Sequence, residues 1–352
     1  MESIRVAWWN LQNLFDTDDD PISADLEFTT ASGWTPAVFQ AKLSNLADAV
    51  RVLHNGRAPE LFGVAEVEGD DVFAQLLHEV GEPHLKVVKD KSGTSDLRGI
   101  DVSLAYDERK LTVEQCRSHV VHLRYPTRDI FEVVFRVKDT GARLVVLASH
   151  WPSRRQGRYE SEPSRIALAE NVAFLVRDHL RVDAETYLKL RADGDLDAVR
   201  ARWDTPILLM GDLNDEPTDR SVVSHLQASS ELDRVVGPTN DIDDFEKEPS
   251  AYRGDDNFLY NPMWRFLAPE STGTFFLEST PNEAFANRYQ VLDQFIASRG
   301  LLTGDGLRLD LSSVSIVDDL SVATPSRRPR PFSRKTLKGT SDHLPIKAVL
   351  TY

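Results

Sequence analysis

Short apolar runs recur along the chain: SIRVAWWN (3–10), ELFGVAEV (60–67), IDVSLAY (100–106), IFEVVFRV (130–137), LVVLASHW (144–151), PILLMGDL (206–213), VLDQFIAS (291–298) and IKAVLTY (346–352). Several are apolar at odd and even positions alike, so as strands they must be covered on both faces. Helical periods fall between some of them. TPAVFQAKLSNLADAVRVL (35–53) opens with a Thr-Pro cap and first turn, and DDVFAQLLHEV (70–80) opens with acids. The stretch 162–200 reads as one long amphipathic helix with a break near Gly194. Strands that are partly consecutive and partly separated by helices point to mixed sheets covered by helices rather than to a purely parallel array. No internal repeat divides the 352 residues. A single domain over 1–352 is expected, with long loops at about 238–257 and 324–341.

Composition narrows the class. With 41% hydrophobic and 28% charged residues the chain can bury a sizeable core, which excludes a disordered protein. No segment reaches the roughly 18 apolar residues of a membrane span, and MESIRVAWWN lacks a basic-then-apolar leader pattern, so a cytoplasmic location is expected. Cys116 is the single cysteine, which excludes an internal disulfide and a thiolate metal cluster; its apolar-alternating surroundings suit packing. The net charge of −15 repels polyanions at long range, so nucleic acid would have to meet a locally basic surface. Two clusters offer one: Arg154, Arg155, Arg158 and Arg165 after LVVLASHW, and Arg327, Arg328, Arg330, Arg334, Lys335 and Lys338 in one proline-containing loop. The second leads directly into SDH and is placed near any site there as a clamp on substrate.

Polar residues gather at the strand ends. Asn10 ends the first strand, Glu66 the second and His150 ends LVVLASH; Asp212 and Asn214 end PILLMGDLN, Asp293 sits in VLDQF, and Asp342 with His343 precedes the last strand. In a layered sheet such groups converge on one rim, where ligands bind. Glu66, Asp212 and Asp342 supply carboxylates suited to a hard cation such as Mg²⁺, with Mn²⁺ or Ca²⁺ as alternatives. Asn10 and Asn214 are able to ligate or to donate to a phosphoryl oxygen. His343 is a base for water if a carboxylate fixes its tautomer, with Asp293 the candidate, and His150 can act from the other side. Arg98 and Arg128 precede strands and can reach the rim to hold phosphate oxygens; Arg154 and Arg155 are further candidates, and Asp101 is a candidate to orient His150. Asp16, Asp18, Asp20 and Glu27 match part of a calcium-loop spacing, but Pro21 replaces the required glycine and no helix precedes Asp16, so this is read as accidental acidity.

WNLQNLF (9–15), AEVEG (65–69), RGIDVSLAY (98–106), ASHWPSR (148–154), GDLNDEP (211–217), LDQFIAS (292–298) and SDHLPI (341–346) together resemble the ordered motif set of the endonuclease/exonuclease/phosphatase superfamily, the deoxyribonuclease I-like proteins. The resemblance implies a four-layer α/β sandwich, two packed and mostly antiparallel sheets flanked by helices, and divalent-metal hydrolysis of phosphate esters. It also implies roles. Glu66 matches the principal metal ligand, Asn10 its neighbour and Asp342 an acid counted with the metal; Asp212 and Asn214 match the pair that positions nucleophile and phosphate; Asp293 and His343 match the paired carboxylate and imidazole. His150 matches the histidine of the pancreatic-type deoxyribonucleases and the sphingomyelinase-like branch. Abasic-site repair enzymes place a tyrosine motif there and an acid where this chain has Gln12, so the chain departs from that branch.

The expected function is a Mg²⁺-dependent nuclease hydrolysing phosphodiester bonds in DNA. The alternatives are a phosphatase or phosphodiesterase acting on a small-molecule or lipid-linked phosphate, and a catalytically inactive binding module of the same fold.

Overall fold

β1 (Ser3–Leu14) shows why these strands need cover on both faces. Trp8 packs into a core between two sheets, while its neighbour Trp9 packs into a second core beneath helices. The computed structural model of the protein describes residues 2–19, 26–89, 101–123, 127–237, 257–268, 272–278, 287–303 and 306–352. Among these, one six-stranded sheet has the order β14 (Arg308–Ile316), β15 (Ile346–Thr351), β1, β2 (Leu61–Val67), β4 (Asp101–Asp107), β3 (Leu85–Val87). A seven-stranded sheet has the order β5 (Leu111–His119), β6 (Ile130–Val137), β7 (Arg143–His150), β8 (Ile207–Asp212), β13 (Asp293–Ala297), β10 (Leu259–Tyr260), β9 (Ala228–Ser229). A short pair, β11 (Phe275–Phe276) with β12 (Tyr289–Gln290), stands apart.

Both sheets are mixed. In the first, β1 runs parallel to β2 and antiparallel to β15; in the second, β7 runs parallel to β8 and antiparallel to β6. These two parallel pairs are joined by helical crossovers, α1 (Pro36–Val52) in the first sheet and α3 (Arg158–Leu180), α4 (Ala184–Ala192) and α5 (Leu196–Trp203) in the second. Three cores follow. Trp8, Leu104, Phe135, Met210 and Phe295 fill the space between the sheets. Trp9, Leu46, Phe62 and Phe73 lie under α1 and α2 (Gly69–Val80), and Leu147, Trp151, Leu168, Trp203 and Leu209 lie under the α3–α5 layer. This is the helix, sheet, sheet, helix order expected of the four-layer sandwich. Gly63 marks the close approach of the sheets: a Cβ there would stand 2.7 Å from the Met210 sulfur and 2.8 Å from the Trp8 ring.

Two local expectations are corrected. The stretch read as one helix over 162–200 is three, beginning at Arg158 and broken at 181–183 as well as near Gly194. Asp183 and Asp195 each cap the next helix, accepting from the Thr186 and Ala198 amides at 2.9 and 3.3 Å. β1 continues past Asn10 to Leu14, with a register shift between those residues, and β14 is a strand with no apolar run to announce it. The loop 324–341 is tied down by bridges of Ala323 to Pro329, Arg330 to Ser341 and Ser333 to Lys338. The loop at 238–257 lies outside the described residues except for Asn257.

Candidate active site

Strand register assembles the centre. Asp212, the last residue of β8, stands opposite His150 of β7 on one side and Asp293 of β13 on the other. The facing sheet brings Asn10 from β1, whose carboxamide donates to Asp212 Oδ2 at 3.0 Å. His343 enters from the turn before β15. That turn is fixed by Ser341, whose hydroxyl donates to the Asn10 carbonyl at 2.6 Å and accepts from the His343 amide at 3.1 Å.

His343 Nδ1 lies 2.7 Å from Asp293 Oδ2, and the Trp8 indole donates to Asp293 Oδ1 at 2.9 Å. Thr274 accepts from the Asp293 amide at 3.0 Å. With both carboxylate oxygens occupied, Asp293 holds the imidazole so that Nε2 faces Asp212 Oδ2 at 3.8 Å. On the other side His150 Nε2 lies 3.4 Å from Asp212 Oδ2 and 3.8 Å from Glu66 Oε1. Asn214, at φ +51°, donates its backbone amide to Asp212 Oδ1 and its side chain to the Trp151 carbonyl, both at 3.0 Å.

The electrostatics follow from burial. Burial pushes the Asp212 carboxyl up to about 6; the charge of His343 opposes this and that of Asp293 adds to it. For His343, burial alone would lower the ring, but Asp293 and Asp212 outweigh it and hold the imidazole well above its ordinary value. Burial also raises Asp342, against the charge of His343 and with that of Glu66.

Two acidic groupings are available to a cation. Asp212, Asp293 and His343 have ligand atoms within 4.8 Å of one another, but Asp293 and the His343 Nδ1 are committed to each other and to Trp8. The better fit is at Glu66, where the Asp342 carboxyl feels Glu66 as a like charge and successive amides of one turn reach Asn10 and Glu66, that of Gln12 donating to the Asn10 carboxamide oxygen at 3.0 Å. Glu66 sits at φ +59° with its Oε2 accepting from the Asn13 amide at 3.0 Å. A carboxylate held this way beside another acid and an amide oxygen is an oxygen donor set suited to Mg²⁺.

The arginines divide. Arg128 is buried at the rim and donates to the Trp151 carbonyl at 3.2 Å, the same carbonyl that Asn214 reaches. Arg154 is engaged within the protein: its guanidinium donates to the Asn214 carbonyl at 2.5 Å, Asp215 at 2.9 Å and Asp219 at 2.5 Å. Arg158 bonds Asp219, and fully buried Arg165 lies 2.8 Å from Asp215. Arg155 is exposed. Arg98 and the side chain of Asp101 lie outside the described residues, as does Asp20 of the acidic run. In the basic loop, Arg327 bonds Asp318, and Arg334 lies over the rings of Phe28 and Trp34.

Four supporting residues escaped the sequence reading: Trp8, Thr274, Ser341 and Lys42. Lys42 had a legible signal. It lies three residues after Phe39 and four before Leu46, on the face α1 buries, where a lysine needs a reason.

Two back-to-back mixed sheets with helices outside, and polar strand ends gathered on one rim, define the deoxyribonuclease I-like class of α/β sandwich. Solved structures agree on the fold. A mannosyl-6-phosphatase of Bacteroides thetaiotaomicron is 15% identical, with a TM-score of 0.54 over 99% of this chain and 100% of that one. Truncated TDP2 of Caenorhabditis elegans is 14% identical, with a TM-score of 0.54 over 99% and 98%. The human Nocturnin catalytic domain is 14% identical, with a TM-score of 0.51 over 99% and 94%. No curated protein matches in sequence. A sequence profile described as endonuclease/exonuclease/phosphatase family matches residues 5–351, and the chain belongs to that family. It is a phosphoesterase of a family whose enzymes generally use divalent metals. Among the described residues no helix is long and apolar enough to cross a membrane.

Proposed function

We propose that the protein is a Mg²⁺-dependent phosphodiester hydrolase with DNA as its substrate, working at the rim around Asp212. The observation that carries this reading is the buried chain Trp8–Asp293–His343 aimed at Asp212, with His150 on the opposite side of the same carboxylate. At 3.8 Å, His343 Nε2 and Asp212 Oδ2 are too far apart for a direct hydrogen bond and close enough to share one water. Asp293 keeps the imidazole oriented, and the Asp212–His343 pair takes the proton of that water as its oxygen bonds phosphorus and the P–O bond to the leaving sugar oxygen breaks, with His150 on the opposite side placed to give that oxygen a proton. Asn214 and Asn10 align the phosphate, and His150 faces the developing charge from the other side. Glu66, Asp342 and Asn10 would hold the metal, which when bound neutralises charge on the phosphoryl oxygens.

A second reading, a phosphatase acting on a small phosphate, is favoured by the arginines. Arg154, Arg158 and Arg327 are spent on Asp215, Asp219 and Asp318, leaving fewer cations for a nucleic-acid backbone. One of the structural neighbours is itself a mannosyl-6-phosphatase. Incubating supercoiled plasmid with Mg²⁺ and either wild type or His343→Ala tests the primary reading: nicking by wild type and not by the variant is expected. Intact plasmid in both reactions, with phosphate released from a sugar phosphate or nucleotide, would transfer the conclusion to the second.

A further inference from the structure

The cation-binding end of the site is built on an unusual piece of backbone. Gln12 and Asn13 are consecutive non-glycine residues at φ +55° and +56°, inside the register shift that lets β1 bulge between Asn10 and Leu14. Such a backbone is uncommon away from glycine and persists only where its surroundings over-determine it. The amides of this turn face the site. Gln12 donates to the Asn10 carboxamide oxygen and Asn13 to Glu66 Oε2, both at 3.0 Å. Its carbonyls face the opposite way, and both are taken by one side chain: Lys42 Nζ donates to the Gln12 carbonyl and, at 3.1 Å, to the Asn13 carbonyl.

Lys42 is only 2% exposed. Its ammonium lies 5.7 Å from the centre of the Trp34 ring and 5.6 Å from that of Phe332, so two aromatic faces close over it. Phe332 belongs to the loop before SDH, and its amide donates to the Gln12 side-chain oxygen at 2.8 Å, clamping the same turn from outside. Burial lowers the Lys42 ammonium to about 7, against the charges of Asp342 and Glu66, which favour its charged form. A buried lysine bonded among the described residues only to backbone carbonyls, and under the charges of two acids, is costly to keep for packing alone.

We infer that Lys42 is a positioning residue for the metal: by bonding the Gln12 and Asn13 carbonyls it locks the bulge of β1, so that the two amides hold Asn10 and Glu66 in ligating orientation. This rests on the metal-dependent reading above, and the experiment separates the two. Mg²⁺ is titrated calorimetrically into the intact wild-type chain and into Lys42→Met, which keeps length and apolar bulk while removing charge and donors. Binding to wild type with roughly 10- to 100-fold weaker binding to the variant is expected, the scale seen when partners of metal ligands are removed. In turnover the half-saturating Mg²⁺ concentration rises correspondingly, while kcat at saturating Mg²⁺ stays within about threefold, a split that a merely destabilised fold does not produce. Lys42→Arg, which keeps charge and donors, is expected to recover most of the affinity. If Lys42→Met does not fold, Lys42→Gln carries the same comparison. Unchanged Mg²⁺ affinity in a folded, uncharged variant overturns the inference, and absence of Mg²⁺ binding to wild type overturns the metal reading itself.

Discussion

At the scale of single residues, catalytic power is expected to depend on what Asp293 does for His343. Asp293→Asn keeps size and leaves the contact with Trp8 open, but presents an amide that no longer fixes the Nδ1–H tautomer. A loss of roughly 10³- to 10⁴-fold in kcat is expected, with KM little changed, as in other imidazole–carboxylate pairs. Trp8→Phe preserves the ring in the central core and removes only the indole donor 2.9 Å from Asp293 Oδ1. Steady-state kinetics should show a drop of about tenfold, and a wild-type rate would remove Trp8 from the machinery. The contrast marks what the sequence could show. Asp212, Asn214, Asp293, His343 and Glu66 were legible because each acid, amide or imidazole ends an apolar strand, where its chemistry has no packing explanation. Trp8 was not, because an inward tryptophan in WWN reads as core whether or not its N–H has a partner. Arg154 shows the converse limit: an arginine near a strand end reads the same in sequence whether it faces phosphate or the carboxylates of Asp215 and Asp219.

At the scale of elements, one buried carboxylate joins three of them. Glu132 on β6 is bonded by His119 of β5 at 2.9 Å and lies 3.3 Å from His179 of α3. Burial would raise its carboxyl, but the contacts with His119 and His179 outweigh this and hold it down to about 2. Because the folded value lies below the usual 4.5, the unfolded chain binds more protons between those limits. Stability from this group is therefore fully present above pH 4.5 and lost as pH falls towards 2, by about 3 kcal/mol in all. His54 adds a second window: burial lowers it from 6.5 to about 4, against its bond to the Val6 carbonyl at 3.0 Å, so stability falls as pH drops between those values. Urea unfolding at a series of pH values should show both, and Glu132→Gln should flatten the decline below pH 4.5 while leaving the upper window. A variant with an unchanged lower slope would sink the assignment. Helix joints illustrate the limits of pattern reading at this scale. Pattern reading joins 162–200 into one helix, whereas the break at 181–183 is set by the Asp183 side chain capping Thr186, a competition between aspartate and backbone that pattern alone does not reveal.

At the scale of the whole molecule, the site exists only because two sheets meet at a fixed spacing. Asn10 and Glu66 ride on one sheet and His150, Asp212 and Asp293 on the other, and the 3.0 Å bond from Asn10 to Asp212 crosses the gap between them. Mixed sheets covered by helices were readable from the strand pattern and the four layers came with the family resemblance, but this spacing was not readable, since it depends on which small residue meets which large one across the core. Gly63 is that small residue. Gly63→Ala would press a methyl group against the Trp8 ring, which is wedged between sheets and bonded to Asp293, and against the more pliable Met210. Overpacking of this kind costs about 1–3 kcal/mol. Leu168→Ala, in the outer core under α3, is expected to cost about 2–5 kcal/mol through its cavity, without altering the sheet spacing. If the spacing sets catalysis, Gly63→Ala loses tenfold or more in kcat at temperatures where it is fully folded, while the less stable Leu168→Ala keeps near-normal turnover there. Denaturation midpoints and kcat measured on the same preparations make the comparison. Activity that simply tracked stability in both variants would show that the gap between the sheets has slack the site can absorb, and that the strand ends, not the layers, hold the catalytic distances.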